Sequence, residues 1–290
     1  MCLIIVSSQI DPASINIKDH LLKFHDWDEI NTFDGNPVFI NKKNNDIYLI
    51  TIKDRKIFRE NLDKEISEKL NINPELAIFI SRHNSEMKKP SMTVHPIGNY
   101  QNADYGGLAR TVVPSSPKMM TELLRIIKKR KKPELEYDIC FEVTHHGPYL
   151  KIPTFFVEIG SSEKQWKDEV AGTIVSKSLL ELLEKYSSED DIKEKMTVLL
   201  GFGGGHYAPR FSDVVFEKKA AFGHMIPSYH INEGYIDEEI IRKTIDNTPN
   251  INGVYIHRKS LKKSQITEYK KIFSDIDLPV FSSKELTSIS

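Results

Sequence analysis

The 290-residue chain is predicted to fold as an α/β protein, a three-layer α/β/α sandwich around a mixed, mostly parallel sheet. Apolar runs alternate with amphipathic stretches nearly throughout, which is typical of strands followed by helices. The apolar runs are rich in Val, Ile and Phe without strict alternation, which indicates strands covered on both faces. We find no internal repeat and no domain boundary, so residues 1–290 are predicted to form a single domain.

The pattern predicts eight strands and six helices. The strands are Leu3–Ser7, Ile47–Ile52, Leu76–Ile80, Thr93–Ile97, Asp138–Val143, Phe155–Ile159, Thr197–Leu200 and Val254–His257. The helices are Ser14–Phe24, Glu60–Leu70, Pro117–Lys131, Glu163–Tyr186, Asp237–Asn247 and Lys262–Ile272. Ser116 and Pro117 suit the start of the third helix. Ser162 and Gln165 have the spacing of a capping box before the fourth.

The composition indicates a soluble, cytoplasmic protein. Cys2 and Cys140 are too few for a disulfide framework and lack metal-site spacing, which fits a reducing compartment. No apolar stretch approaches the roughly 18 residues of a membrane span. The first strand has no basic lead, so it does not read as a signal peptide. Nothing indicates an obligate protein partner, and we expect a monomer.

One segment is strongly basic although the formal net charge is only −1. It ends the predicted helix Pro117–Lys131 and comprises Arg125, Lys128, Lys129, Arg130, Lys131 and Lys132. Two interpretations remain open. Basic residues in a last helical turn complement the helix dipole, and the same residues would suit contacts with phosphate groups of a nucleic acid.

Histidine and glycine are concentrated in segments at the ends of predicted strands. Seven of the ten histidines lie between Arg82 and Ile231. Imidazole is the commonest metal-binding side chain and the usual proton shuttle near neutral pH. Loops at strand ends carry the chemistry of α/β proteins. The sequence therefore predicts an enzyme with one composite, histidine-rich site.

Two of these segments combine histidine with glutamate. His145 and His146 follow a predicted strand, and both can face one centre only if the chain has already begun to turn. Glu158 ends an apolar strand, where a carboxylate is costly to bury unless it is paired or bound to a metal. We predict Glu158 as a ligand or general base, although an acid just ahead of a helix also suits the helix dipole.

A third segment places three glycines directly before His206. Successive glycines expose backbone N–H groups that suit a phosphate or a developing oxyanion, so Gly204, Gly205 and His206 are predicted to be catalytic. His224 has apolar neighbours and is either a ligand or a core histidine. Histidine with an occasional carboxylate suits zinc, which acts as a Lewis acid and activates water. Signatures of serine or cysteine nucleophiles are missing.

Taken together, the chain resembles the archaeal and plant family of D-aminoacyl-tRNA deacylases. Six segments carry the resemblance in the family's order: Ser81–His83, Thr93–Asn99, Thr144–Pro148, Glu158–Ser161, Gly201–Pro209 and Phe222–His224. They span most of the chain up to about Tyr229, and six ordered motifs are far more specific than any one of them. Beyond Glu233 the similarity is limited to general α/β character.

The resemblance implies a zinc-dependent esterase with a phosphorylase/hydrolase-like fold that removes D-amino acids, and also glycine, from tRNA. Zinc would be held by some of His95, His145, His146, Glu158, His206 and His224, and would activate the water that attacks the ester. Contacts to the aminoacyl-tRNA are expected from His83, Asn99, Arg210, Arg125, Lys128, Lys129 and Lys132. Two alternatives remain open: a zinc amidase or carboxypeptidase-like hydrolase of small peptides, and a non-catalytic tRNA-binding protein.

Overall fold

The computed structural model describes residues 2–86, 88–186 and 188–289. The strands in these residues are β1 (Cys2–Ser8), β2 (Trp27–Phe33), β3 (Asn36–Asn41), β4 (Ile47–Ile52), β5 (Pro74–Asn84), β6 (Ser91–Pro96), β7 (Gly98–Asn99), β8 (Thr111–Val112), β9 (Asp138–Phe141), β10 (Thr154–Ser161), β11 (Thr197–Phe202), β12 (Ala220–Ile226), β13 (Gly253–Ile256) and β14 (Val280–Phe281). The helices are α1 (Pro12–Phe24), α2 (Leu62–Leu70), α3 (Pro117–Arg130), α4 (Glu163–Trp166), α5 (Glu169–Lys185), α6 (Pro209–Glu217), α7 (Ser228–Asn232), α8 (Glu238–Asp246) and α9 (Lys263–Asp275).

The main sheet has the strand order β2-β3-β4-β1-β5-β10-β6-β9. Its centre is parallel, because β4, β1, β5 and β10 all run in one direction. β6 runs antiparallel to β10 and parallel to β9, and the hairpin β2–β3 closes the other edge. The predicted mixed, mostly parallel α/β architecture is confirmed, and each of the eight predicted strands overlaps an observed one.

Apolar side chains form one packed layer on each face of the main sheet. On one face, α1, α3 and α5 pack through Ile17, Leu123 and Leu179 against Ile78, Val94 and Val157. On the other face, α2 and long loops pack against Phe79 and Phe156. Alternate residues of a strand point to opposite faces. His95 therefore faces away from its neighbour Val94, and Glu158 away from Val157, toward the layer of α2 and the loops.

A second, fully parallel sheet has the order β12-β11-β13-β14. One side of it shares an apolar cluster with the main sheet, through Leu199 and Phe222. Its other side packs against α8 and α9 through Ile241 and Phe273. This continuous cluster supports the single-domain organisation that we propose for residues 1–290.

The structure differs from the sequence prediction in three local respects. The segment around His224 lies inside β12 and not in a loop, because β12 is a buried parallel strand without alternation. The predicted helix Glu163–Tyr186 is broken, and Asp168 caps its second part by accepting hydrogen bonds from the amides of Val170 and Ala171. The hairpin β2–β3 is not among the predicted strands. It turns at Asp34 and Gly35, a dipeptide that favours such turns.

Candidate active site

Three neighbouring strands bring His83, His95 and Glu158 to one face of the main sheet. His95 on β6 lies opposite Phe156 on β10, and His83 on β5 lies beside Gly160. Phe156, Glu158 and Gly160 are alternate residues of one strand and share a face. The sheet register thus places a carboxylate between two imidazoles. The distances from Glu158 Oε2 are 3.5 Å to His83 Nδ1 and 3.8 Å to His95 Nε2.

The loop after β9 adds two histidines to this face. His146 has a φ of +43°, a left-handed conformation that histidine adopts more readily than most residues. This turn lets consecutive side chains reach one centre, as the sequence analysis required. The ring of His95 lies 4.2 Å from that of His145 and 5.0 Å from that of His146, measured between centroids.

The three rings are held in one tautomer by backbone carbonyls. Nδ1 lies 3.0 Å from the Pro96 oxygen in His95, 2.8 Å from the Val143 oxygen in His145 and 2.6 Å from the Gly147 oxygen in His146. A carbonyl only accepts, so each Nδ1 carries a proton, and Nε2 is the ring nitrogen that can bind a metal when the ring is neutral. The ligand atoms of the three lie within 4.8 Å of one another. Metal-binding histidines have this arrangement.

Glu142 contributes a second carboxylate, which is fully buried. Its Oε2 lies 3.0 Å from His206 Nε2, and its Oε1 lies 3.2 Å from His83 Nδ1. Neither oxygen has a hydrogen-bond partner among the described residues, and the same is true of the buried Nε2 of His95. Buried polar atoms almost always have partners. These atoms are therefore available as ligands of a metal ion.

The potential ligands form three overlapping groups: His95, His145 and His146; His83, Glu142 and His206; and His95, Glu142 and Glu158. Within each group the ligand atoms lie within 4.8 Å of one another. Because His95 and Glu142 each belong to two groups, the three form one connected centre. Nitrogen and oxygen donors at this spacing fit zinc.

Burial and mutual charge set the protonation of this cluster. Burial lowers the pKa of His146 to about 4, and burial together with the charge of His95 lowers that of His145. Burial opposes the charged form of His83, but Glu142 and Glu158 outweigh it and raise its pKa to about 11. Burial would raise the pKa of Glu158, yet the neighbouring imidazoles of His83 and His95 bring it down to about 2. Both carboxylates are therefore anionic at neutral pH.

The cluster opens into a cleft of about 600 Å³. His83, His145, His146, Glu158 and His206 line it directly. Glu142 and His95 lie behind them and do not line the cleft. A substrate in the cleft would therefore contact Glu158 and the histidines that line it. Glu142 and His95 lie deeper, behind these residues.

His224 lies apart from this cluster. It is fully buried in β12, where its Nδ1 lies 3.1 Å from Thr144 Oγ1 and its Nε2 lies 3.0 Å from the Val113 oxygen. Both ring nitrogens are engaged, so neither is free to bind a metal. Of the two interpretations that the sequence allowed, the geometry favours the core histidine, and we withdraw His224 from the ligand set.

Two of the three glycines before His206 use their backbone amides in hydrogen bonds within the protein. The Gly203 amide donates to the Ile226 oxygen, and the Gly204 amide donates to Ser260 Oγ, each at 2.8 Å. Gly204 therefore cannot offer its amide to an oxyanion, which corrects the sequence expectation. Gly205 is exposed, and its amide remains a candidate donor.

The residues predicted to contact tRNA are scattered. His83 and Asn99 line the cleft, although the Asn99 amide donates to the Gly106 oxygen at 2.8 Å. Arg210 lies outside it and bonds to Tyr255 and Ser283. Arg125 is only 15% exposed, pairs with Glu122 and Glu194, and is therefore not free for phosphate. Lys128, Lys129 and Lys132 are at the end of α3, which packs on the opposite face of the main sheet from the histidines.

The sequence analysis did not select Glu142 as a site residue. The available signal was a carboxylate that directly follows the apolar strand Asp138–Phe141 and lies three residues before His145. Lys56 and Arg55, which line the cleft, were also missed. They follow β4 in a charged segment that looks like an ordinary surface loop.

The main sheet is mostly parallel, and a buried cluster of histidines and carboxylates lies beneath an open cleft. These two features define an α/β enzyme whose active site is assembled from several strand ends and loops. Residues 70–281 match the family model described as D-aminoacyl-tRNA deacylase. The chain belongs to the D-aminoacyl-tRNA deacylase family and is accordingly a hydrolase. The resemblance drawn from its histidine motifs is confirmed.

Curated relatives extend over nearly the whole chain. The D-aminoacyl-tRNA deacylase of Pyrococcus furiosus is 35% identical over 95% of this chain and 97% of its own length. That of Methanosarcina acetivorans is 35% identical over 97% of this chain and 92% of its own length. A crystal structure of a conserved protein of unknown function superposes with a TM-score of 0.88, at 27% identity over 99% of both chains.

Proposed function

We propose that this protein hydrolyses the ester bond of D-aminoacyl-tRNA and releases the free D-amino acid and tRNA. One observation carries the proposal: in a member of this family, unpartnered buried atoms of His95 and Glu142 lie beneath an open cleft of about 600 Å³. Such a centre suits hydrolysis, in which water attacks a carbonyl carbon. A protein that only bound tRNA would have no use for it.

We propose zinc as the cofactor, held by His95, His145 and His146 together with Glu142 and His206. The donor set supports this choice, because it contains imidazoles and carboxylates and no thiolate. When bound, the ion would polarise the ester carbonyl and lower the pKa of water, which ester hydrolysis at neutral pH requires.

The remaining residues have distinct tasks in this proposal. Glu158 is the carboxylate that lines the cleft beside the histidines, so we assign it to take the proton from attacking water. The exposed amide of Gly205, next to His206, would donate to the developing oxyanion. Tyr207 fixes the His83 ring, with its hydroxyl 2.9 Å from Nε2.

The chiral preference would be steric. A pocket wall that accepts a hydrogen atom or a D-side chain and collides with an L-side chain selects by repulsion. Glycine has hydrogen on both sides, so glycyl-tRNA would pass the same filter. We therefore propose glycyl-tRNA as a second substrate.

Deacylation of tRNA charged with the D- and the L-form of one amino acid, and with glycine, tests the activity. We expect rapid release of the D-amino acid and of glycine, and retention of the L-amino acid. Equal release of both enantiomers would exclude chiral proofreading. Inactivity on all three, with hydrolysis of small peptides, would favour an amidase.

We further propose a monomeric protein that acts in the cytoplasm, where aminoacyl-tRNA is found. Among residues 2–86, 88–186 and 188–289, no helix combines the length and apolar character needed to cross a membrane.

A further inference from the structure

We propose that Arg55 and Arg82 form a phosphate-binding pair at the mouth of the cleft, which receives the phosphodiester next to the terminal nucleotide of the substrate RNA. The inference rests on the proposed function and gives a role to Arg82, which lies in the Ser81–His83 motif, and to Arg55, which lies outside every motif. Both arginines line the same cleft as His83, His145 and Glu158. Arg82 directly precedes His83 at the end of β5.

Among the described residues, neither arginine has an ion-pair partner. Neither guanidinium lies within 4.0 Å of a carboxylate in the described chain. By contrast, Lys56 between them is buried and paired with Asp11 at 2.6 Å. Glu158 faces histidines, and the remaining acid of the cleft, Asp104, is exposed on the loop after β7.

Both guanidinium groups are positioned by aromatic rings. The Arg55 guanidinium carbon lies 4.9 Å from the centre of the Phe58 ring, and that of Arg82 lies 5.1 Å from the Trp166 ring. Trp166 is itself fixed, because its indole N–H donates to the His83 oxygen at 2.8 Å. A stacked guanidinium keeps its N–H edge free, and that edge matches two phosphate oxygens.

The position of the pair matches the chemistry of the substrate. The ester to be cleaved is on the terminal ribose, and the nearest negative charge of the RNA is the phosphodiester on the other side of that ribose. The backbone amide of Arg82 donates to Asp11 at 3.0 Å, and Lys56 pairs with the same carboxylate. Asp11 therefore contacts both Lys56 and the strand end that carries His83. The reacting centre and the cationic mouth are joined through Asp11.

The test compares two D-phenylalanyl esters, one of adenosine, which has no phosphate, and one of the trinucleotide CCA, which has two. Arg82→Gln and Arg55→Gln should each lower kcat/KM on the trinucleotide ester about tenfold at low salt, because each removes a charge-assisted hydrogen bond. Both should leave the adenosine ester unchanged. The slope of log kcat/KM against log salt should decrease by about 0.7 per arginine.

Arg258→Gln is the matched control, because Arg258 is exposed, lies outside the cleft and has no carboxylate within 4.0 Å among the described residues. It should behave like the wild type on both esters. Equal losses on the two esters, or no loss on either, would overturn the phosphate assignment while leaving the proposed function intact. A wild-type protein inactive on D-aminoacyl-tRNA would overturn both.

Discussion

Glu142 Oε2 lies 3.0 Å from His206 Nε2, yet no hydrogen bond joins the two atoms. Glu142 is fully buried and His206 is 39% exposed, so the pair connects the interior of the main sheet with the cleft. An uncompensated carboxylate in this position would be strongly destabilising. The zinc ion that we propose would account for the short distance, the missing hydrogen bond and the burial.

Glu142→Gln should remove the metal and the activity together. The amide keeps the shape of the side chain but carries no charge, and loss of even an outer partner of a metal ligand costs about 10–100-fold in affinity or activity. We expect a loss of at least that size in deacylation, together with a fall in zinc content measured by mass spectrometry.

Glu189→Gln is the control for this change. Glu189 is a carboxylate outside the cleft that accepts a hydrogen bond from the Lys118 amide at 2.6 Å at the start of α3. The substitution should leave zinc content and turnover at wild-type levels. If both Glu variants retained zinc and activity, Glu142 would not be a ligand.

His145→Ala and His206→Ala should abolish hydrolysis while the fold persists. The His145 and His206 side chains are 22% and 39% exposed, so their removal creates no large internal cavity. Circular dichroism and thermal unfolding check the fold, and D-aminoacyl-tRNA hydrolysis checks the activity. Near-normal turnover in both variants would show that the site is elsewhere.

His224 should make stability depend on pH without affecting catalysis directly. Burial lowers its pKa from 6.5 to about 4. Between these two pH values His224 is protonated in the unfolded chain and neutral in the folded chain. The contribution of neutral His224 to the free energy of unfolding is fully present above pH 6.5 and decreases as the pH falls toward 4. Between pH 7.5 and pH 5 the folded protein should lose about 2 kcal/mol through this residue.

The measurement is the free energy of unfolding of the wild type and of His224→Asn at both pH values. The variant is less stable at pH 7.5, because buried hydrogen bonds are lost, but the difference should narrow by about 2 kcal/mol at pH 5. A difference that is the same at both pH values would mean that His224 does not titrate in this way. Zinc content should be unchanged.

Gly98→Ala should destabilise the protein and disturb the site. Gly98 has a φ of +149°, and a Cβ there would lie 2.5 Å from the Val112 Cα. Its amide also donates to the His146 oxygen at 2.9 Å, so a shift of Gly98 moves a metal-site loop. We expect a loss of about 1–3 kcal/mol in unfolding free energy from backbone strain, more if the clash is not relieved.

Gly35→Ala is the matched substitution for this prediction. Gly35 also has a positive φ, of +76°, but no atom lies within 4 Å of a Cβ at that position. It should cost about 1 kcal/mol and leave turnover unchanged. Equal effects of the two substitutions would show that the Val112 contact is unimportant.

The sequence predicted the sheet and most of the histidines because both depend on local pattern. Apolar runs define buried strands, and His145, His146 and His206 lie in recognisable segments that contain glycine or proline. What the sequence could not reveal depends on contacts between distant segments. His224 and Thr144 are 80 positions apart, and Gly204 and Ser260 are 56 apart.

Register explains the remaining differences. A shift of one residue between β6 and β10 would turn His95 or Glu158 to the opposite face, and no local pattern fixes that register. For the same reason the basic end of α3 could not be placed relative to the histidines until the layers were known. Glu142 was missed because its partners, His83 and His206, are brought to it by β5 and the loop after β11.

The most direct test of the metal-centred account is deacylation of D-aminoacyl-tRNA by protein of measured zinc content, before and after removal of the metal by a strong chelator. We expect at least one zinc ion per chain, loss of activity when the metal is removed and recovery when zinc is restored. Full activity of metal-free protein would contradict this expectation.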